Sequence, residues 1–289
     1  MSSFIVKHWH GRFSLPISFW VNGVVLTLVL NELITNIPWA RLAAEYPKSC
    51  SSAVIFLWLL LLPFATWQLW GIWRSATAYL RDAGPTMWGH LAKLIVVVAA
   101  VRIALEIGFI GVPQLIQHGQ LAVGRDPLGS YELHVIHDGT ELEANGVIAF
   151  GITRDVRNLL NANPRIDTIQ LNSNGGRTIE ARRLRDLIDA KGLTTSTSQG
   201  CSSACTLAFV AGKRRLITRN ARLGFHRYSF PGISEADLQR QYEIDKDDWR
   251  SRGLNAALIN RAFSTSEIWA PDSEDLLKWG VVTGFMPSS

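Results

Sequence analysis

Three short segments in the second half of this 289-residue chain carry groups whose types and spacing could do chemistry. The first, LNSNGG at residues 171–176, ends an apolar run and opens a helix-like one. Its glycines, Gly175 and Gly176, let the backbone approach a ligand closely and take conformations other residues avoid. Backbone N–H groups near a helix start suit an anion or a developing oxyanion. The second, GCSSACTLAFVAG at residues 200–212, puts two hydroxyls, Ser202 and Ser203, where a loop enters an apolar helix. The third, LGFHR at residues 223–227, carries His226 in a strand-like run. A histidine titrates near working pH and can take a proton from a hydroxyl. Each segment alone has a plainer reading: a tight turn, a helix N-cap, a packed histidine.

Taken in order, the three segments resemble the Clp protease proteolytic subunit, a serine peptidase of the ClpP/crotonase fold. In that family a strand runs through an NSPGG-like turn into a helix. A serine then opens a buried helix with an Ala-Gly pair behind it, and a basic strand and a histidine-bearing strand follow. Here Ala211 and Gly212 lie eight and nine residues after Ser203, which selects Ser203 over Ser202. Lys213, Arg214 and Arg215 come next, and then His226. The resemblance spans residues 133–285. It implies Ser203 as nucleophile and His226 as its base. It also implies an oxyanion site at the Gly175–Gly176 turn, where the Gly176 N–H acts together with that of Ala204. When residues 269–282 are set against the family's FLSAPEAVEYGLVD-like segment, the orienting acid falls on Glu267, and Asp272 reads as the cap of the helix that follows. Two departures stand: Asn174 replaces the family's proline, and the serine-to-histidine interval is slightly shorter. The family's fold also hosts inactive binding proteins and crotonase-type acyl-CoA enzymes, which remain alternatives to a peptidase.

Cys201 and Cys205 flank Ser203 one helical turn apart. Two readings stay open: a disulfide that fixes the nucleophile loop, which needs Cys201 outside the helix, or two small buried residues. With Cys50 there are three cysteines and no zinc-type spacing, so no metal is expected. No cofactor motif is present, and no P-loop.

Positioning such a site takes alternating strands and helices. Residues 131–136 alternate as a strand, 141–151 read as a strand or turn, and 166–171 as a strand. Residues 178–190 form an amphipathic helix through Ile179, Leu184, Leu187 and Ile188. A short buried helix at 204–211 and strands at 216–217 and 223–227 follow. Helices at 235–250 and 256–263 complete an α/β domain with a mostly parallel sheet. The polar helix 234–250 is the candidate element for forming a homo-oligomer.

The first part of the chain is of another kind. Residues 1–120 hold only 8 of the 29 basic and 4 of the 24 acidic residues, yet 8 of the 11 tryptophans lie at or before Trp88. Residues 13–31 and 51–73 carry no charge, and 94–113 carries only Arg102 and Glu106. About 20 apolar residues cross a bilayer. Three spans are expected, near 15–34, 52–73 and 91–113, as an α-helical bundle in a membrane domain at 1–116. A linker at 117–130 then joins it to the ClpP-like domain at 131–289. Arg102 and Glu106, four apart, read as an ion pair buried between helices. Lys7, Arg12, Arg74 and Arg81 on one side face Arg41, Lys48 and Arg125 on the other, which places the N-terminus in the cytoplasm and the second domain outside it. The expected setting is a bacterial inner membrane. The partners are then the lipid bilayer and a peptide or protein substrate. Most of the +5 net charge belongs to this front part, and the rest has no basic stripe, so nucleic acid is excluded as a partner.

Overall fold

The computed structural model describes residues 3–84, 86–228 and 234–286. The chain divides into two compact units, Met1–Gly124 and Arg125–Ser289.

The first unit is helical: α1 (Phe4–Trp9), α2 (Ile17–Thr35), α3 (Trp39–Glu45), α4 (Pro47–Ala83) and α5 (Met87–Ala122). Three of these, α2, α4 and α5, are long and apolar enough to cross a membrane. At 1.5 Å per residue, α4 and α5 are each about 54–56 Å long, well beyond the roughly 30 Å hydrocarbon core. The expected linker at 117–130 is therefore partly helix, because α5 continues to Ala122. Its polar end packs on α4, with His118 Nδ1 3.1 Å from Ser51 Oγ and Trp58 Nε1 donating to Gln114 Oε1 at 3.2 Å. Loss of apolar character marks the end of a span, not the end of a helix. The first nine residues of α2, Ile17–Val25, are π-helical and turn Ser18 and Asn22 inward. Ser18 Oγ meets Ser75 Oγ at 2.7 Å, and Asn22 Nδ2 meets His8 Nδ1 at 2.9 Å. Gly71 makes room for that histidine, since a Cβ there would lie 2.2 Å from His8 Nε2. Arg102 and Glu106 pair along α5 at 2.8 Å, but they are not buried between helices. Both side chains are accessible, 76% and 43% exposed, at a cavity that residues of α2 and α4 also line.

The second unit is α/β. Its main sheet runs β1 (Tyr131–Ile136), β2 (Glu141–Gly146), β3 (Thr168–Asn172), β4 (Thr194–Thr197), β6 (Arg215–Ile217) and β8 (Gly284–Phe285), in that spatial order. The pair β1–β2 is antiparallel and every other pair is parallel. Strands β5 (Gly200–Ser202) and β7 (Arg222–Gly224) form a small parallel sheet of their own. The helices are α6 (Ile152–Ala162), α7 (Thr178–Lys191), α8 (Ala204–Phe209), α9 (Glu235–Ser251), α10 (Ala256–Ala262) and α11 (Ser273–Lys278).

Strand periodicity sorts the sheet's two faces. Leu142, Ala144, Ile169 and Leu171 point into the core with Val156, Leu160, Leu184 and Ile188 of the helices. Glu141, Glu143, Gln170, Asn172 and Ser196 share the opposite face and hydrogen-bond to one another. Two elements end sooner than the pattern suggests. Helix α8 stops at Phe209 because Gly212 must pass close to β4, where a Cβ would meet Thr195 Oγ1 at 2.2 Å. Strand β7 stops at Gly224, and single contacts carry the pairing on: a Phe225–Trp269 bridge and an Arg227 N–H to Thr265 O bond of 2.8 Å.

Candidate active site

The site forms where three loops leave the parallel strands on one side of the sheet, the usual place for chemistry in such folds. Strand β3 ends at Asn172, and Ser173 bridges to Cys201 of β5. The chain then turns through Gly175 and Gly176 into α7. Strand β5 delivers Ser203 to the start of α8, and β7 delivers His226.

Ser203 stands on a sharp turn with φ 55° and ψ −129°, outside the regions a side chain prefers. Backbone held this way costs on the order of 1–3 kcal/mol and persists only where its surroundings enforce it. Four features enforce it here. The Ser203 N–H donates to Gly224 O at 2.8 Å, and Thr206 N–H donates to Ser203 O at 3.0 Å. Thr206 Oγ1 donates to the same carbonyl at 2.7 Å. A Cys201–Cys205 disulfide closes the turn, with Cα atoms 5.3 Å apart. Of the two readings of these cysteines the structure has the bonded one: Cys201 lies in β5, so the pair does not share a helical turn.

Ser203 Oγ lies 2.7 Å from His226 Nε2. For the hydroxyl to donate, Nε2 must be unprotonated and the ring proton must sit on Nδ1. Neighbouring Ser202 turns away and lies against Gly224, where a Cβ would meet Ser202 Oγ at 2.5 Å. Glu267 lies in the segment that pairs alongside His226, through Phe225–Trp269 and Arg227–Thr265, but its carboxylate makes no hydrogen bond to the ring. It is exposed, and among the described residues His226 Nδ1 has no hydrogen-bond partner. Asp272 stands at the N-cap of α11, but its side chain makes no capping bond and instead lies 3.9 Å from Arg222.

The glycines split into two roles. Gly175 (φ +107°) gives room: a Cβ there would lie 2.7 Å from Ser203 Cβ and 2.9 Å from Ser202 O. Its own N–H already donates to Ser173 Oγ at 3.1 Å, so it is not a free oxyanion donor. Gly176 (φ +147°) lies against Ile148, whose carbonyl oxygen would be 2.4 Å from a Cβ. Its N–H has no partner among the described residues, and neither has that of Ala204 at the start of α8. Ala204 follows Ser203 in the chain, and Gly176 follows the glycine that packs against Ser203.

Beside Ser203 and His226 lies a small cavity of about 20 Å³, walled by Ala204, Leu207, Phe225, Trp249 and Phe263. That volume admits about one water-sized body. Behind it is a buried ion pair that the sequence reading missed. Arg182 of α7 holds Asp245 of α9 through Nε at 3.0 Å and Nη2 at 2.7 Å, and the Tyr228 hydroxyl donates to the same carboxylate at 2.7 Å. Asp245 is fully buried. Burial disfavours charge on Arg182, but the Asp245 hydrogen bond and charge outweigh it and raise the guanidinium pKa. The same burial and the Asp245 carboxylate raise the Tyr228 phenol. A sequence signal for this pair existed. Leu238, Tyr242, Asp245 and Trp249 form the buried face of α9, and a lone acid on such a face needs a buried cation.

No family model matches the chain, and no curated protein matches it. Among solved structures, ClpP1 from Listeria monocytogenes is 17% identical, with a TM-score of 0.47 over 53% of this chain and 94% of that one. A point mutant of ClpP1 from the same organism is 19% identical, with a TM-score of 0.45 over 52% of this chain and 93% of that one.

Proposed function

We propose that the chain is a membrane-anchored serine peptidase with Ser203 as nucleophile. The observation that carries this reading is the 2.7 Å contact between Ser203 Oγ and His226 Nε2 on a strained turn. In the proposed reaction His226 takes the Ser203 proton as Oγ attacks a peptide carbonyl. The N–H groups of Gly176 and Ala204 receive the oxyanion. His226 then returns the proton to the departing amine, and water, deprotonated by the same ring, cleaves the acyl-enzyme. With no acid on Nδ1, the site works as a Ser–His dyad.

The three long apolar helices fit an integral membrane anchor. The Cys201–Cys205 bond fits an oxidising compartment, in keeping with a domain outside the cytoplasm of a bacterial inner membrane. Substrates are then membrane-associated or exported proteins, whose local concentration near the bilayer the anchor raises. Helix α9 is the proposed surface for a homo-oligomer.

A second reading, a catalytically silent binding domain, is favoured by the bare His226 Nδ1 and the small cavity. Hydrolysis of unstructured casein by the full chain in detergent separates the two. Cleavage that Ser203→Ala abolishes supports the peptidase, and equal background in both proteins, each folded, supports the binding domain.

A further inference from the structure

The oxyanion donor Gly176 has no side chain with which to hold itself in place. Its direction must come from its neighbours, and both of them are tied to Ile148. The Ile148 N–H donates to Gly175 O at 2.9 Å, and the Arg177 N–H donates to Ile148 O at 2.7 Å. Each of these two strands is in turn held by one carboxylate, that of Asp126. Arg177 grips it with Nε at 3.2 Å and Nη2 at 2.8 Å, one nitrogen on each oxygen. From the Ile148 side, the Phe150 N–H donates to Asp126 Oδ2 at 3.1 Å. The Leu128 N–H adds a fourth bond at 3.0 Å. The Arg177 guanidinium also stacks 4.6 Å above the Phe150 ring. Side-chain exposure is 6% for Asp126 and 17% for Arg177, so the pair is sheltered from water. Burial opposes charge on Asp126, yet the bonds from Arg177, Leu128 and Phe150 prevail and hold its carboxyl below the ordinary range.

We infer that Asp126 and Arg177 are positioning residues for the oxyanion site: the pair clamps the strands on either side of Gly176 and so aims its N–H beside Ser203. This rests on the peptidase reading of the same site. Neither residue reaches the reacting atoms. Asp126 lies at the very start of the second unit, in what reads as linker, and the salt bridge fastens that segment to the catalytic turn. A forked Arg–carboxylate pair fixes direction as well as distance. An oxyanion donor displaced by about 1 Å costs on the order of 100-fold in rate.

The test uses the full chain in detergent with two readouts. One is the second-order rate of Ser203 phosphonylation by a fluorophosphonate, which depends on oxyanion stabilisation. The other is carbethoxylation of His226 by diethyl pyrocarbonate, followed by mass spectrometry, which does not. Asp126→Ala is expected to slow phosphonylation roughly 10- to 100-fold. His226 modification should stay within about twofold, since the ring is not touched by the pair. Arg177→Lys, which keeps the charge but loses the fork, should fall between wild type and Asp126→Ala. Equal phosphonylation of wild type and Asp126→Ala overturns the clamp and leaves the peptidase reading standing. Equal changes in both readouts also overturn it, since the pair then serves only general stability. An unlabelled wild type overturns the peptidase reading and the clamp with it.

Discussion

Replacing Gly175 with alanine tests how closely the nucleophile is framed. The new Cβ would stand 2.7 Å from Ser203 Cβ, 2.9 Å from Ser202 O and 3.1 Å from Ala204 N. None of these is the free end of a flexible side chain, so the turn itself must move. Ordinary contact begins at 3.4 Å, so Ser203 Cβ must retreat by about 0.7 Å. The φ of +107° adds strain of about 1–3 kcal/mol for a residue with a Cβ, and the crowding a further 1–3 kcal/mol or so. If 1 Å of misplacement costs on the order of 100-fold, the 0.7 Å retreat should slow labelling roughly 25-fold. The comparison variant is Gly192→Ala. That glycine also has a positive φ, +59°, but a Cβ there meets nothing within 4 Å. It should lose about 1–2 kcal/mol of stability and keep its labelling rate. Thermal unfolding and fluorophosphonate labelling on the two variants give four numbers. Wild-type labelling by Gly175→Ala, or an equal loss in Gly192→Ala, would refute the steric reasoning.

Glu267→Gln should leave casein turnover within about twofold of wild type, because the side chain is exposed and makes no hydrogen bond to His226. A fall of 100-fold or more in steady-state kinetics would restore it as the orienting acid. Asp245→Ala removes the carboxylate that the half-buried Arg182 grips and should cost about 2–3 kcal/mol in chemical denaturation, with Asp245→Asn costing less. Opening the Cys201–Cys205 bond as Cys205→Ser should cost about 2 kcal/mol, the loop being short. The loss in labelling rate should exceed that seen for Cys50→Ser, since Cys50 lies in the first unit.

The serine and the histidine that the structure brings together stand out in the sequence only through the order and spacing of three segments, since each segment alone has a plainer reading. The Gly-Gly pair marks a turn, and the Ala-Gly pair behind Ser203 marks a helix passing tightly over a strand. What stayed hidden depends on contacts between distant segments. Asp126 sits in a Gly- and Pro-bearing stretch that reads as linker, and only the fold brings it to Arg177, 51 residues on. The acid was assigned by spacing to Glu267, yet spacing along a loop does not fix which way a side chain turns. Arg102 and Glu106 were read correctly as an intrahelical pair and wrongly as buried, since periodicity shows which residues share a face but not what covers it. The helix end at Ala122 was missed because apolar content, not helical hydrogen bonding, set the expected boundary.

The most direct measurement is mass-spectrometric mapping of a fluorophosphonate adduct on the 289-residue chain in detergent. Wild type should carry the adduct on Ser203, Ser203→Ala should carry none, and His226→Ala should react at least roughly 100-fold more slowly. A folded wild-type protein without adduct, or an adduct that persists in Ser203→Ala, would contradict the assignment of Ser203 as nucleophile.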